Sequence, residues 1–496
     1  MKFKKIITLT LFILAFSLLI MADFSEIEPR TINLKVVSGG IFDIATDKSN
    51  TIHLVWSDRG SLHYGQIVND KVINKEDIPN SGDFQSAFIR PRLAVRPDGA
   101  SIHLSWMSPK PGTSLVHVWK DSSGWHKEIV WMSRGSKDFV SVPFAVEDLT
   151  GKMHIIAQLW HLEAGGKLFS KIKYWYKAPG KAYNMGYTLI EQDKKWRDTA
   201  MFVDYNGGVH GVFKSGSDPG KYLFCESGGK FDENKMEDIP IPSGETCVSF
   251  GDLFVDKEGN VHHAHMSYRS ENIYYNIRNK TTKKWNKVPL KVSETGVETC
   301  VHKNYDNPWP GIALDPDGTV YITWADMPCP DKEANRITLA VVKNGAVVKR
   351  EVLTTDAQID EDSKPAICGN DNGIYLIWRH WEKGEMMMYT VSKLGFFPPT
   401  SCKYELIETR TLFSHDVINR LTWEENHKND EVDIVIDKFN IYVSKNGGPK
   451  ELLTTVNSST FQFDHKSIDK DATYLYEITS VTSEGEESGT EVFVKK

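Results

Sequence analysis

Apolar and polar residues alternate at a period of two along most of the chain, in short runs broken by Asp, Asn and Gly. That alternation predicts half-buried β-strands joined by tight turns. The clearest unit is Asp315-Pro316-Asp317-Gly318-Thr319-Val320-Tyr321-Ile322-Thr323-Trp324, a strand end, a turn and a second strand of β-branched and aromatic residues. Similar units surround His53, His103, His154, His210, His262, Tyr321 and Tyr375, at steps of 50, 51, 56, 52, 59 and 54 residues. Each predicts an apolar first strand, such as Arg92-Leu93-Ala94-Val95, and a turn, such as Asn206-Gly207-Gly208. The second strand carries the His or Tyr and, three residues on, usually a large aromatic: Trp56, Trp106, Phe213, Trp324 or Trp378. A third strand holds an aromatic group, as in Tyr174-Trp175-Tyr176, and a fourth is less regular.

Four antiparallel strands recurring every 50 or so residues are the signature of β-propeller blades, each of which buries its two apolar faces against its neighbours. A linear stack of β-modules is the alternative. The all-β fold expected is therefore a seven-bladed β-propeller over residues 31–397. The last unit has about three strands before Gly395-Phe396-Phe397-Pro398-Pro399, while Thr31 to Ser38 offers a spare strand. Pairing that N-terminal strand with the last blade would close the ring and leave no long open edge. Beyond the Pro-Pro linker, strands at Ile418–Trp423, Lys438–Val443, Thr460–Phe463, Thr473–Ile478 and Gly489–Val494 predict an immunoglobulin-like β-sandwich over residues 403–496.

Composition narrows the function classes. A 40% hydrophobic and 25% charged chain of 496 residues is globular rather than disordered. A net charge of -7, with no basic run beyond the N-terminus, argues against nucleic acid as a partner. Lys2, Lys4 and Lys5 precede an apolar run from Ile6 to Met21, which is the pattern of a signal peptide over residues 1–22. The chain is thus expected to be secreted, periplasmic or at the cell surface; an uncleaved leader would be its link to a membrane. Six cysteines show no C-x-x-C spacing. Export would allow bridges such as Cys300 with Cys329, and the sequence leaves the pairing open.

The Asp/Gly turns have a calcium-like composition but are more economically hairpin turns, because Gly accepts positive φ and Asp caps its own turn. No cofactor is expected; a structural calcium ion is the alternative. The repeated His, exchangeable with Tyr, reads as a buried hydrogen-bonding position. Departures from the template are more telling. Repeat five has His265, and repeat three Ala157, where repeats one, two, six and seven have Trp. Their strands run into unusual loops holding Trp160, His161, Tyr268 and Arg269. Asp58, Arg59, Asp326, Arg379 and His380 end other second strands, and Arg90, Arg92, Asp252, His302 and Trp309 lie on segments entering first strands. In a propeller these positions crowd the face opposite the Asp/Gly turns, where ligands are expected. Imidazoles, guanidinium groups, carboxylates and aromatic platforms together suit an anionic or hydroxyl-rich carbohydrate.

The repeats resemble those of sialidase-like propellers with BNR-type repeats, although the Ser-x-Asp-x-Gly-x-x-Trp signature is not met and its nearest counterpart is Asp121-Ser122-Ser123-Gly124-Trp125. They are also similar to seven-bladed polysaccharide lyases acting on uronate-containing polymers. That resemblance implies His161 or His265 as base, Tyr268 as acid and Arg269 on the uronate carboxylate. The C-terminal part resembles a fibronectin type III domain through Trp423, Ile441-Tyr442, Tyr474 and Ser483 to Ser488. The expected function is an exported propeller that binds or processes acidic polysaccharide, as a lyase or a sialidase-like hydrolase if it is an enzyme. The alternative is a non-enzymatic adhesion protein that binds other cell-surface proteins.

Overall fold

The computed structural model describes residues 24–494 except 36–41, 48, 59, 69–70, 83–91, 109–112, 134–137, 163–167, 193–198, 215–219, 246–247, 268–269, 271, 295–309, 316–317, 327–335, 355–364, 371–372, 380–384, 394–397, 411–414, 427–428, 430–434, 446–449, 467, 470–471, 484–486 and 489–490. The chain divides into one compact unit of Ile27–Val391 and a second that takes in Ser392–Lys496 and the residues up to Glu26. The leader expected over residues 1–22 lies outside the described residues, among which no helix is long and apolar enough to cross a membrane.

β1 (Phe24–Lys35) leads into the first unit, Ile27–Val391, which then runs through seven antiparallel sheets among the described residues. Sheet 1 is β2 (Phe42–Thr46), β3 (Ile52–Asp58), β4 (Ser61–Val68) and β5 (Lys71–Asp77). Sheet 2 is β6 (Arg92–Val95), β7 (Ile102–Ser108), β8 (Ser114–Asp121) and β9 (Gly124–Met132). Sheet 3 is β10 (Asp138–Glu147), β11 (Met153–Leu162), β12 (Leu168–Lys177) and β13 (Tyr187–Gln192). Sheet 4 is β14 (Thr199–Val203), β15 (Val209–Phe213), β16 (Lys221–Cys225) and β17 (Glu237–Asp238). Sheet 5 is β18 (Val248–Val255), β19 (Val261–Ser267), β20 (Ile273–Asn279) and β21 (Lys284–Trp285), with β22 (Leu290–Lys291) also on β20. Sheet 6 is β23 (Gly311–Leu314), β24 (Val320–Asp326), β25 (Arg336–Lys343) and β26 (Ala346–Thr354). Sheet 7 is β27 (Ala366–Asn370), β28 (Gly373–Arg379) and β29 (Glu385–Lys393), with β1 as its outer strand.

Each sheet has the form of a propeller blade. The first strands touch in the order β2, β6, β10, β14, β18, β23, β27, and β27 returns to β2. β1 starts earlier than the strand expected at Thr31 to Ser38, of which residues 36–38 lie outside the described residues. Its pairing with the last sheet is as expected, and Thr31 Oγ1 meets Met387 Sδ at 3.4 Å.

Adjacent sheets bury the aromatics that the alternation assigns to the core. Trp56, Trp106 and Trp324 are buried in the clusters that join sheets 7 and 1, 1 and 2, and 5 and 6, and Trp378 is buried as well. Each such indole removes on the order of 200 Å2 from water, a gross transfer term of about 5 kcal/mol. The turns after the first strands need a left-handed residue at their fourth position. Gly99, Gly151, Gly207, Gly259 and Gly318 supply it at φ between 74° and 85°, and Asn50 does so at 63°.

The second unit has a three-stranded sheet of β30 (Thr400–Arg410), β31 (His415–Glu424) and β34 (Gln462–Lys466). Its four-stranded sheet is β33 (Glu451–Asn457), β32 (Ile436–Lys445), β35 (Tyr474–Thr482) and β36 (Glu491–Val494). β30 and β33 are strands that the alternation did not predict. Trp423 and Leu421 from the first sheet pack with Phe439, Ile441, Tyr476 and Ile478 from the second. The Tyr474 hydroxyl accepts the Asp469 N–H at 3.0 Å and ties the segment before β35 to its own strand. Cys225, Cys368 and Cys402 are free thiols; Cys247, Cys300 and Cys329, and with them the bridge expected between the last two, lie outside the described residues.

Candidate functional site

The repeated histidines form a scaffold. In sheet 1 the Asp47 carboxylate accepts the Ser49 and Thr51 N–H groups through Oδ1, while Oδ2 lies 3.3 Å from His53 Nε2. His53 Nδ1 is 2.7 Å from the Tyr64 hydroxyl. With the proton on Nε2, the ring donates to the carboxylate and accepts from the phenol, so one tautomer satisfies all three groups. The same chain joins Asp148, His154 and Tyr174; Asp204, His210 and Tyr222; and Asp256, His262 and Tyr275. In sheet 6 the Tyr321 hydroxyl donates directly to Asp315 Oδ2 at 3.2 Å. Burial holds His154 and His210 below the ordinary imidazole range, against the pull of their aspartates. Burial likewise raises Tyr64, Tyr174, Tyr222 and Tyr275, which stay protonated donors.

Sheet 2 keeps this chemistry with borrowed parts. Arg96 stands where the other turns begin with Asp, and the carboxylate comes from Glu147 of sheet 3, 2.9 Å from His103 Nε2. Arg96 Nη1 donates to Glu147 at 3.3 Å. His117 replaces the tyrosine at 3.3 Å from His103 Nδ1, and Tyr183 of the following sheet completes the chain at 2.9 Å.

The expected ligand residues are placed unevenly. Asp58 ends β3 half-buried, and Arg379 ends β28 buried. Asp326 ends β24. Trp160 and His161 lie on β11, Trp160 half-buried and His161 exposed. That strand continues eight residues past its key His154, whereas β3, β7 and β19 end five past theirs. The β11–β12 hairpin thus projects by three further residues, roughly 10 Å, and Trp160 and His161 ride on it, paired with Ser170 and Phe169. Arg59, Arg90, Tyr268, Arg269, His302, Trp309 and His380 lie outside the described residues.

His265 differs from the surface base expected of it. Its ring is fully buried, stacked between His263 at 5.2 Å and Tyr274 at 5.8 Å, and neither nitrogen has a hydrogen-bond partner. Burial, with His263 and Lys214 nearby, holds it well below the usual imidazole range. It fills the space that Trp fills in other sheets. Opposite it, Gly251 makes room for the neighbouring ring, since a Cβ there would stand 2.7 Å from His263 Nε2.

Arg92 and Asp252, 160 residues apart, meet at 2.9 Å between β6 and β18. Asp43 of β2 lies 3.9 Å from Arg92 Nε and accepts the Leu93 N–H at 2.9 Å. The guanidinium also lies 4.8 Å from the centre of the Phe144 ring. These residues line a cavity of roughly 190 Å3 enclosed by first strands, whose other lining includes the turn residues Asn50, Pro97 and Tyr205. The cavity therefore reaches the Asp/Gly turns, the end that the sequence argument set aside for structure. Among the described residues no group of three or more His, Cys, Asp or Glu is placed to hold a metal ion.

No protein-family model and no curated protein matches the sequence. Among solved structures, the chain is similar to a protein of unknown function from Dyadobacter fermentans DSM 18053, at 12% identity over 75% of this chain and 99% of that one, with a TM-score of 0.43. It is similar to the α-L-arabinanase of Penicillium chrysogenum complexed with arabinobiose, at 11% identity over 65% and 100%, with a TM-score of 0.41. The BP39L lectin from Burkholderia pseudomallei is similar at 10% identity over 74% and 95%, with a TM-score of 0.42.

Proposed function

We propose that this chain is an exported seven-bladed β-propeller, latched by its N-terminal strand and followed by a fibronectin type III sandwich, that binds acidic glycan at the end where the second strands terminate. The closed circuit of first strands and the outer position of β1 support the architecture. The observation that carries the function is the projecting β11–β12 hairpin, which carries an exposed imidazole at His161 and, on the opposite face of the strand, a half-buried indole at Trp160. An indole face stacks on a pyranose ring, and an imidazole exchanges hydrogen bonds with its hydroxyls. Arg59, Arg90, Arg269 and Arg379, which the sequence assigns to this end, are the partners for a uronate or sulfate. Of the two imidazoles that the resemblance offers as base, His265 is sealed in the core and His161 is exposed on the hairpin.

A panel of acidic polysaccharides tests this, with binding measured directly and product release followed by ultraviolet absorbance and reducing ends. Wild type is expected to bind at least one of them, and Trp160→Ala and His161→Ala to weaken that binding by about tenfold each, roughly 1.4 kcal/mol, without loss of folding. Equal binding by wild type and both variants would refute the site, and no binding across the panel would refute the function.

A further inference from the structure

One hydrogen-bonded chain of the scaffold crosses between sheets. In sheets 1, 3, 4 and 5 the carboxylate, the imidazole and the phenol all belong to one sheet. In sheet 2 the chain starts on Glu147 of sheet 3, passes through His103 and His117, and returns to sheet 3 at Tyr183, just before β13. Both imidazoles are fully buried, with ring centres 5.5 Å apart. Apolar closure is thin here: among the described residues sheet 2 gives Leu115 to the buried cluster at this junction, with half-buried Met107, Val130 and Trp131 beside it.

We propose that the junction of sheets 2 and 3 is an acid-operated seam, in which protons taken up by His103 and His117 part these two sheets ahead of the rest of the ring. In the neutral pair one set of tautomers satisfies every group: His103 Nε2–H donates to Glu147, His117 Nε2–H to His103 Nδ1, and the Tyr183 hydroxyl to His117 Nδ1. A first added proton has a place on His117 Nδ1 once the Tyr183 hydroxyl turns from donor to acceptor. A second, on His103 Nδ1, sets N–H against N–H across 3.3 Å and puts two cations in a space closed to water.

The surroundings do not absorb that charge. Glu147 is already met by Arg96, which also pairs with Asp98 at 3.1 Å. Lys177, paired with Glu128, stands 4.8 Å from the centre of the Tyr183 ring, and Asp121 faces His126 at 3.1 Å beyond Trp119. Parting the sheets gives both rings water. Burial holds His103 below the ordinary imidazole range and, with His103 and Lys177 nearby, His117 well below it. The seam therefore holds above about pH 6.5 and gives way as the pH falls below that value. His263 and His265 are stacked as well, but both lie on one strand, β19.

Hydrogen exchange of the full chain from pH 7.5 to pH 5, corrected for intrinsic amide rates, tests this. The opening constant of β7–β8 and β10–β12 is expected to rise by more than about tenfold per pH unit below about pH 6.5, because opening takes up more than one proton. β24–β25, whose chain of Tyr321 and Asp315 has no imidazole, should change by less than about tenfold over the same range. His117→Phe should bring the seam to about tenfold per unit or less. Tyr183→Phe alters one hydroxyl on a half-buried ring, leaves His117 Nδ1 without that donor, and should move the rise to higher pH. Equal rises in the seam and β24–β25, an earlier rise in β19–β20, an unchanged slope in His117→Phe or an unchanged midpoint in Tyr183→Phe would each overturn the seam. None of these readouts depends on what the β11–β12 hairpin binds.

Discussion

Replacing Asp148 by Ala is the sharpest perturbation of the scaffold. The carboxylate has no exposed surface. Oδ1 accepts the Thr150 N–H at 2.8 Å, the Thr150 hydroxyl at 2.7 Å and the Lys152 N–H at 3.0 Å. Oδ2 accepts the Gly228 N–H of the next sheet at 2.6 Å and faces His154 Nε2 at 3.4 Å. Burial alone would raise this carboxyl, but the bonds from His154, Thr150, Gly228 and Lys152 hold it far below its ordinary range. Hydrogen bonds to a charged acceptor contribute about 1.5–3 kcal/mol each, and some stranded donors regain water, so a net loss of about 3–5 kcal/mol is expected. A unit spanning Ile27–Val391 unfolds with an entropy near 0.8 kcal/mol/K, so Tm should fall by about 4–6 °C. Asp98→Ala is the control: its half-buried carboxylate receives the Ala100 N–H and pairs with Arg96, and about 1 kcal/mol or less is at stake. Calorimetric scans of both variants decide the matter. A loss below about 1 kcal/mol for Asp148→Ala, or equal losses in the two, would refute the view that the buried turn carboxylate holds neighbouring sheets together.

Acid should destabilise the first unit in a defined window. His103, His117, His154, His210, His263 and His265 are all held below the ordinary imidazole range by burial, so the unfolded chain takes up protons that the folded chain refuses. Their contribution is present above about pH 6.5 and is lost as the pH falls below it. Asp47, Asp148, Asp204 and Asp256, lowered by their His and backbone partners against burial, extend the loss below about pH 4. Tm measured from pH 8 to pH 4 should fall throughout the lower part, and a rise between pH 7 and pH 5 would contradict this. His265→Phe keeps a ring in the Trp-like space while removing two unpartnered nitrogens. Its stability should be unchanged or higher by up to about 2 kcal/mol, with a shallower acid slope; a loss above about 2 kcal/mol in urea would show that the imidazole has partners.

The scaffold was legible because it repeats: the His or Tyr ruler marks each second strand, and the turn carboxylate lies at a constant distance before it. Sheet 2 shows how far that holds. Arg96 occupies the carboxylate's place, and the compensating Glu147 stands 44 residues after His103, directly before Asp148 in sequence. An extra acid beside a turn that already has one was the available signal. Arg92 and Asp252 were each singled out, but their pairing across sheets 2 and 5 depends on ring geometry, which local periodicity does not encode. His265 was misjudged for a physical reason: a break in an aromatic pattern looks like exposed chemistry, whereas a stacked imidazole can fill an indole's volume. β33 escaped notice because the two residues it turns to the core, Leu453 and Val456, stand three apart across a break in register, which spoils the period of two.

β1 also sets an order of events. The strand made early pairs with β29, more than 350 residues later, and until β29 exists it has no partner in its own sheet. Loop closure over such a span is slow compared with forming any one hairpin. The six sheets made in between can form from neighbouring segments, while sheet 7 waits for both ends of the unit. A nascent chain therefore carries β1 as an unsatisfied edge until β29 is made, and whatever holds that edge apart from other chains governs the yield of folded protein.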